Sequence, residues 1–198
     1  AVPQLEVEFH IRRVIGGAFT EWLFAADRCG TRLQLTGPLG DFGLRNDQRP
    51  MVCIAGGSGL APIKAMLEQV LREVHAPDVT LFLAARTQQD LYGDGFLAAM
   101  QAAWLQGGRL SIVPVLSAEA EDSGWSGLRG YCSDHLERFA TPAGCSFYLC
   151  GPPAMLDGVE AGLPSRLSGG LFADIEAPED DLRERIIRQR LTAMPMVE

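Results

Sequence analysis

Four small residues, Gly56-Gly57-Ser58-Gly59, stand between the apolar run "MVCIA" and a stretch that turns periodic around Pro62. Apolar run, glycine turn and periodic stretch read as strand, loop and helix. The first amides of a helix have no partner inside it and carry partial positive charge, so they suit an anion. Glycine lets an anion approach the backbone closely, and Pro62 in the first turn has no donor to lose. A phosphate or pyrophosphate cradle fits this pattern. So does a tight turn packed on its own neighbours, and composition alone leaves both open.

Other chemistries fail on spacing. The dinucleotide pattern G-x-G-x-x-G meets Pro62 at its third glycine. The P-loop needs Ser or Thr after its lysine, and Ala65 follows Lys64. The nucleophile elbow G-x-S-x-G meets Leu60 where its last glycine belongs. His10, His75 and His135 lie in three different predicted elements, and no spacing places one beside Ser58.

A second stretch, "FYLCGPPAML", repeats the strand-turn-helix grammar and sets Cys150 at the end of its strand. Cys150 reads either as a buried structural thiol or as a group facing a ligand. Ligands of open parallel sheets sit at the carboxyl ends of strands, where the strand order reverses. If these two strands flank the reversal, Ser58 and Cys150 face one crevice.

The elements that would position them follow from periodicity. After Pro50, short apolar runs ("MVCIA", "VTLFLAA", "LSIVPVL", "SFYLC", "GLFAD") alternate with helical patterns at 59–74, 94–105, 132–139 and 153–163. Strands apolar on both faces, joined by helices, predict a parallel sheet covered on both sides, an α/β fold. Pro114 removes a ladder donor from the third strand, which fits a sheet edge. Before residue 50, "LEVEFHIRRV" and "RLQLTGPLG" alternate like half-buried strands, and residues 41–50 read as a boundary loop. The last residues read as a charged helix.

Among the 198 residues, 47% are hydrophobic and 21% charged, as in an ordinary globular protein. The net charge of -8 argues against a nucleic-acid partner. No apolar run reaches membrane-spanning length. The start shows no signal peptide and no initiator Met, and reads as processed or cut from something longer. Five cysteines without a C-x-x-C predict reduced cytoplasmic thiols and no cluster or structural metal.

"GGSGLAPIKAML", "LAARTQQDLYGDGF" and "YLCGPPAML", in this order, resemble the ferredoxin–NADP reductase superfamily, and within it the NADH-using reductases of bacterial oxygenase systems. The resemblance runs over roughly residues 5–175. It implies a five-stranded parallel nucleotide-binding sheet of order 3-2-1-4-5 over residues 49–176. A partial antiparallel flavin-binding β-barrel would precede it over residues 1–48, and a helical tail would follow over 177–198. It implies that Gly56, Gly57, Ser58, Gly59, Leu60 and Pro62 cradle the dinucleotide pyrophosphate. Ser58 and Cys150 would border the nicotinamide, beside Gly151, Pro152 and Met155. Arg86, Asp90 and Ser117 would lie at the adenosine end. Gly17, Ala18, Phe19 and Thr20 match the flavin pyrophosphate turn, although Thr20 also reads as a plain helix cap. Arg86 likewise reads as a residue stacking on adenine or pairing with Asp90.

The implied activity is flavin-dependent NADH oxidation, with NADH and FAD as cofactors and an iron–sulfur protein or oxygenase as acceptor. Ala118, Glu119, Glu121 and Asp122 follow or adjoin Ser117 and predict NADH over NADPH. The family's R-x-Y-[ST] motif and first four barrel strands would precede residue 1, and Glu176 stands near the place of the family's terminal aromatic. The rival reading is a non-enzymatic NAD-binding module without flavin. In either case the incomplete barrel would leave an apolar face for a packing partner.

Overall fold

A computed structural model describes residues 7–162, with breaks at 36, 38–39, 46, 48, 74–75, 105–107 and 140–143, and residues 171–174. Its centre is β1 (Met51–Gly56), buried at each of its positions. An all-apolar strand can be buried on both faces only if both faces are covered, and they are. Met51, Cys53 and Ala55 join one core with Ile63 and Leu67 of α2 (Leu60–Val70) and Leu97 of α3 (Asp94–Ala103). Val52 and Ile54 join a second core with Leu136 of α4 (Leu136–Phe139) and Leu156 of α5 (Pro153–Gly162).

β1 pairs in parallel with β2 (Val79–Ala85) on one side and β5 (Ser146–Gly151) on the other. With β3 (Leu110–Leu116), β4 (Leu128–Arg129) and β6 (Leu171–Asp174), the order is 4-3-2-1-5-6, parallel throughout. Numbering only the five longer strands gives 3-2-1-4-5, as expected. The chain leaves β1 toward β2 and leaves β5 toward β6, so the order reverses between β1 and β5.

Pro114 does not lie on the outermost strand. The two-residue β4 pairs with Val115 and Leu116, one step past the proline, so the edge is covered only where a donor is available. The segment expected as one helix over 132–139 is a 3-10 turn, Cys132–His135, running into α4.

The N-terminal part departs from the expectation. α1 (Ala18–Phe24) forms, but neither alternating stretch is a strand among the described residues. A strand needs a neighbour for its amides and carbonyls, and period-2 alternation does not supply one. Val7, Phe9, Val14, Leu33 and Leu35 are each more than half exposed. Glu176 and the expected tail over 177–198 lie outside the described residues.

The boundary loop is tied to the floor of the sheet. Ser146, the buried polar residue of the core, donates to both carboxylate oxygens of Asp47 at 2.9 and 2.8 Å. The Arg45 amide donates to Tyr148 Oη at 3.0 Å, and Phe42 packs edge-on against the Tyr148 ring.

Candidate functional site at the strand-order reversal

At the carboxyl end of β1 the chain turns through a 3-10 step, Gly57–Gly59, into α2. The Leu60 amide is already committed to the carbonyls of Gly57 and Ser58. Pro62 falls in the first helical turn, where its missing N–H costs nothing.

The glycines serve different ends. Gly59 is buried, and a Cβ on it would overlap the carbonyl of Cys150. Its hydrogen therefore makes room for the protein's own β5. Gly56 and Gly151 abut one another under the thioether of Met155, with Pro152 also close to Gly56. Gly57 alone of the four has a positive φ, +54°, is exposed, and faces open space. Ser58 beside it is half-buried.

Cys150 pairs across the reversal with Ala55 and is buried, outside any disulfide. Ser58 and Cys150 thus stand at adjoining strand ends, with Cys150 packed into the core under α2. Between the ends of β1 and β2 lies a shallow cleft of only about 20 Å³, lined by Ala55, Gly57, Leu60, Leu83, Asp90 and Tyr92 among others. Tyr92 donates from its hydroxyl to the Gly57 carbonyl at 3.1 Å. Burial, and then the charge of Glu8, push its phenol above the ordinary range, so it stays a donor.

At the far end of the cleft, β2 and β3 continue their pairing into the loops. The Ser117 amide donates to Ala85 at 3.0 Å and the Ala118 amide to Arg86 at 2.8 Å. Arg86, Ser117 and Ala118 therefore adjoin, as expected. The expected Arg86–Asp90 pair is absent among the described contacts. Asp90 instead accepts from the amide and hydroxyl of Thr87, at 3.0 and 2.9 Å, capping its own turn. Glu119 accepts from the backbone and side chain of Gln88, both at 2.7 Å, which lowers its pKa and fixes a carboxylate in this corner.

On the N-terminal side, Gly17 caps α1 with Ala18, Phe19 and Thr20 following. The Thr20 hydroxyl accepts from the Val14 amide and donates back to Val14 and Gly17 carbonyls, so it staples the turn it opens. Among the described residues no strand lies beside this turn.

Residues 53–161 match the oxidoreductase NAD-binding domain family. The chain belongs to that family. It is 44% identical over 161 residues to the xylene/toluene monooxygenase electron transfer component of Pseudomonas putida, spanning 81% of this chain and 45% of that protein. It is 37% identical to the reductase component of the naphthalene 1,2-dioxygenase system of the same species, over 77% of this chain and 45% of that one. The cytochrome P450 reductase GcoB of Amycolatopsis superposes with a TM-score of 0.71 at 34% identity, over 83% of this chain and 50% of that one. The chain thus spans about half the length of these relatives. A local match, 92% identical over 47 residues, is to the chromosomal replication initiator protein DnaA of Sphingopyxis alaskensis, over 24% of this chain and 10% of that protein.

Sequence reasoning missed Tyr92 as the residue pinning the Gly57 carbonyl, although the tyrosine stands inside the "DLYGDGF" stretch. It also missed the Gln88–Glu119 tie. Neither partner is local in sequence. No described helix is long and apolar enough to cross a membrane.

Proposed function

We propose that this chain is the nicotinamide-binding part of a flavin-dependent NADH oxidoreductase that serves an iron–sulfur protein or an oxygenase. The observation that carries the reading is the meeting of the Gly57 turn with Cys150 at the reversal between β1 and β5. In this reading Gly57 and Ser58 hold the pyrophosphate. Leu60 and Pro62 shape the helix start behind it, while Gly56, Gly151, Pro152 and Met155 form the floor beside the nicotinamide. Arg86 and Ser117 flank the adenosine, and Asp90 holds the turn that carries Tyr92. The family relatives named as oxygenase reductase components support the reading.

NADH, when bound, supplies a hydride to a flavin, which passes electrons singly to the acceptor. The residues of this chain bind and orient; none of them has to exchange a proton. Ser58 and Cys150 set the position of the nicotinamide ring, where a misplacement of about 1 Å costs ~100-fold in rate. The turn at Gly17, Ala18, Phe19 and Thr20 would take the flavin pyrophosphate. A packing partner, or further chain, would cover Val7, Phe9, Leu33 and Leu35. The domain bounds follow as 1–48, 49–176 and 177–198, in a reduced, cytoplasmic setting.

One observation favours a second reading, a nucleotide-binding module without flavin: residues 7–35 contain no strand among those described. The absorption spectrum of the purified chain, before and after NADH, separates the two. A flavin band bleached by NADH supports the reductase. A colourless chain that binds NADH supports the module, and a chain that binds no nicotinamide nucleotide overturns both.

A further inference from the structure

Local sequence leaves the Gly57–Ser58 peptide weakly braced. Gly57 takes a positive φ of +54°, and a Cβ added to it would meet nothing. Glycine occupies either hand of φ at little cost, so Gly57 does not by itself fix the peptide that follows it. The Leu60 amide offers a hold, but it is divided between the Gly57 and Ser58 carbonyls. A second donor completes the hold on Gly57: Tyr92 Oη, 3.1 Å from the carbonyl oxygen. A carbonyl has no proton to give, so the proton of that contact is the hydroxyl's.

Tyr92 is itself fixed from three directions. Before it, the turn Gln88–Asp90 is closed by the reciprocal Thr87–Asp90 cap, and Leu91 packs against the core. After it, Gly93 caps α3 in the left-handed region, at φ +91°, and its carbonyl accepts from the Leu97 amide. Beside it, the His10 ring meets the tyrosine edge-on at 5.4 Å, with Nδ1 2.8 Å from the hydroxyl oxygen. His10 is held in turn by Glu8, 2.6 Å from Nε2, and Glu8 accepts from Lys64 of α2 at 2.8 Å. In either tautomer the ring limits the swing of the hydroxyl.

The consequence lies on the other edge of the peptide. A trans peptide sets the Ser58 N–H opposite to the Gly57 carbonyl. With that carbonyl turned to Leu60 and Tyr92, the Ser58 N–H points back out of the helix start. Ser58 is second in the 3-10 step, so no carbonyl inside the step takes its proton. We propose that Tyr92 is a positioning residue for the nicotinamide dinucleotide: its hydroxyl, held on the Gly57 carbonyl, fixes the Gly57–Ser58 peptide so that the Ser58 amide is presented to the pyrophosphate. This rests on the nicotinamide-nucleotide reading of the turn. Without the hydroxyl the peptide can turn over, which sets the negative end of the Gly57 carbonyl dipole against the phosphates. In this role the hydroxyl orients and exchanges no proton.

The test follows peptide and ligand separately. Tyr92→Phe removes the hydroxyl and keeps the ring, and urea unfolding checks that the variant stays folded. Amide NMR of the nucleotide-free chain reads Ser58, and NADH titration reads binding, each in the parent and in Tyr92→Phe. Expected are a Ser58 amide that moves in the free variant, a smaller further shift of that amide on saturation with NADH, and an NADH affinity lower by about three- to ten-fold, the worth of one hydrogen bond. A Ser58 amide at the same position in parent and variant, or an undiminished NADH affinity, overturns the proposal. A parent chain that binds no NADH refutes the function proposed above and this role with it, while the Ser58 amide of the free chain still decides whether the hydroxyl holds the peptide.

Discussion

The carbonyl of Cys150 occupies the space into which a side chain on Gly59 would project. The start of α2 is therefore seated directly on the end of β5. Gly59→Ala should destabilise the fold on the order of 3 kcal/mol, because backbone on one side and helix on the other leave nothing flexible to yield. Gly57→Ala meets only its positive φ, a cost of about 1–2 kcal/mol. Urea unfolding should rank the two in that order. NADH titration at a temperature where both are folded should show the larger loss of affinity at Gly57. Equal stability of the two variants would refute the assignment of Gly59 to packing.

Cys150→Ala should slow flavin reduction in the flavin-loaded enzyme more than it weakens NADH binding. The thiol is buried at the reversal, and in the proposed reading its removal would alter the floor beneath the nicotinamide ring. Stopped-flow reduction set beside equilibrium titration separates these effects. An unchanged reduction rate removes Cys150 from the nicotinamide site.

Ala118→Arg should shift preference from NADH toward NADPH. The Ala118 amide donates to the Arg86 carbonyl, which brings the two positions together at the end that the proposed reading gives to the adenosine. A charge pair near contact is worth about 1–4 kcal/mol between the limits of water and protein surface. A ten-fold change in the ratio of kcat/KM, or of affinities, is the expected scale. NADPH proving the better ligand of the parent would overturn the NADH assignment.

Asp47 should make the fold acid-sensitive. Its pKa is lowered, chiefly by the Arg49 guanidinium and also by the Ser146 hydroxyl. A depressed pKa in the folded state contributes stability above the unfolded value, about 3.9, and loses it as pH falls through the folded value. Asp47→Asn should therefore lower stability at neutral pH and flatten its decline below about pH 4. Denaturant midpoints across that range check it; parallel pH curves for parent and variant would count against it.

Much of the sheet was legible because its signals are local. Apolar runs of five to seven residues separated by helical periods predict a covered parallel sheet, whereas the strand order, and with it the reversal, came from the family resemblance. The glycine loop was legible as a site but not in its division of labour. Composition does not tell a Cβ excluded by a ligand from one excluded by β5. The Thr87–Asp90 cap was present as a T-x-x-D spacing and explains why Arg86 lacks the partner expected for it. His10 and Tyr92 stand 82 residues apart, so no periodicity could join them. Residues 7–14 alternate as a strand should, but strand pairing depends on a neighbour that alternation does not specify.

The boundary loop and the His10 contacts together have a mechanical meaning. Two tethers hold the N-terminal part: Glu8 and His10 meet Lys64 and Tyr92, and Phe42, Arg45 and Asp47 meet Tyr148 and Ser146 on β5. The turn at Gly17 lies between the two tethers. The tether at Glu8 is solvent-exposed and the one at Ser146 is buried, so water competes for the first far more than for the second.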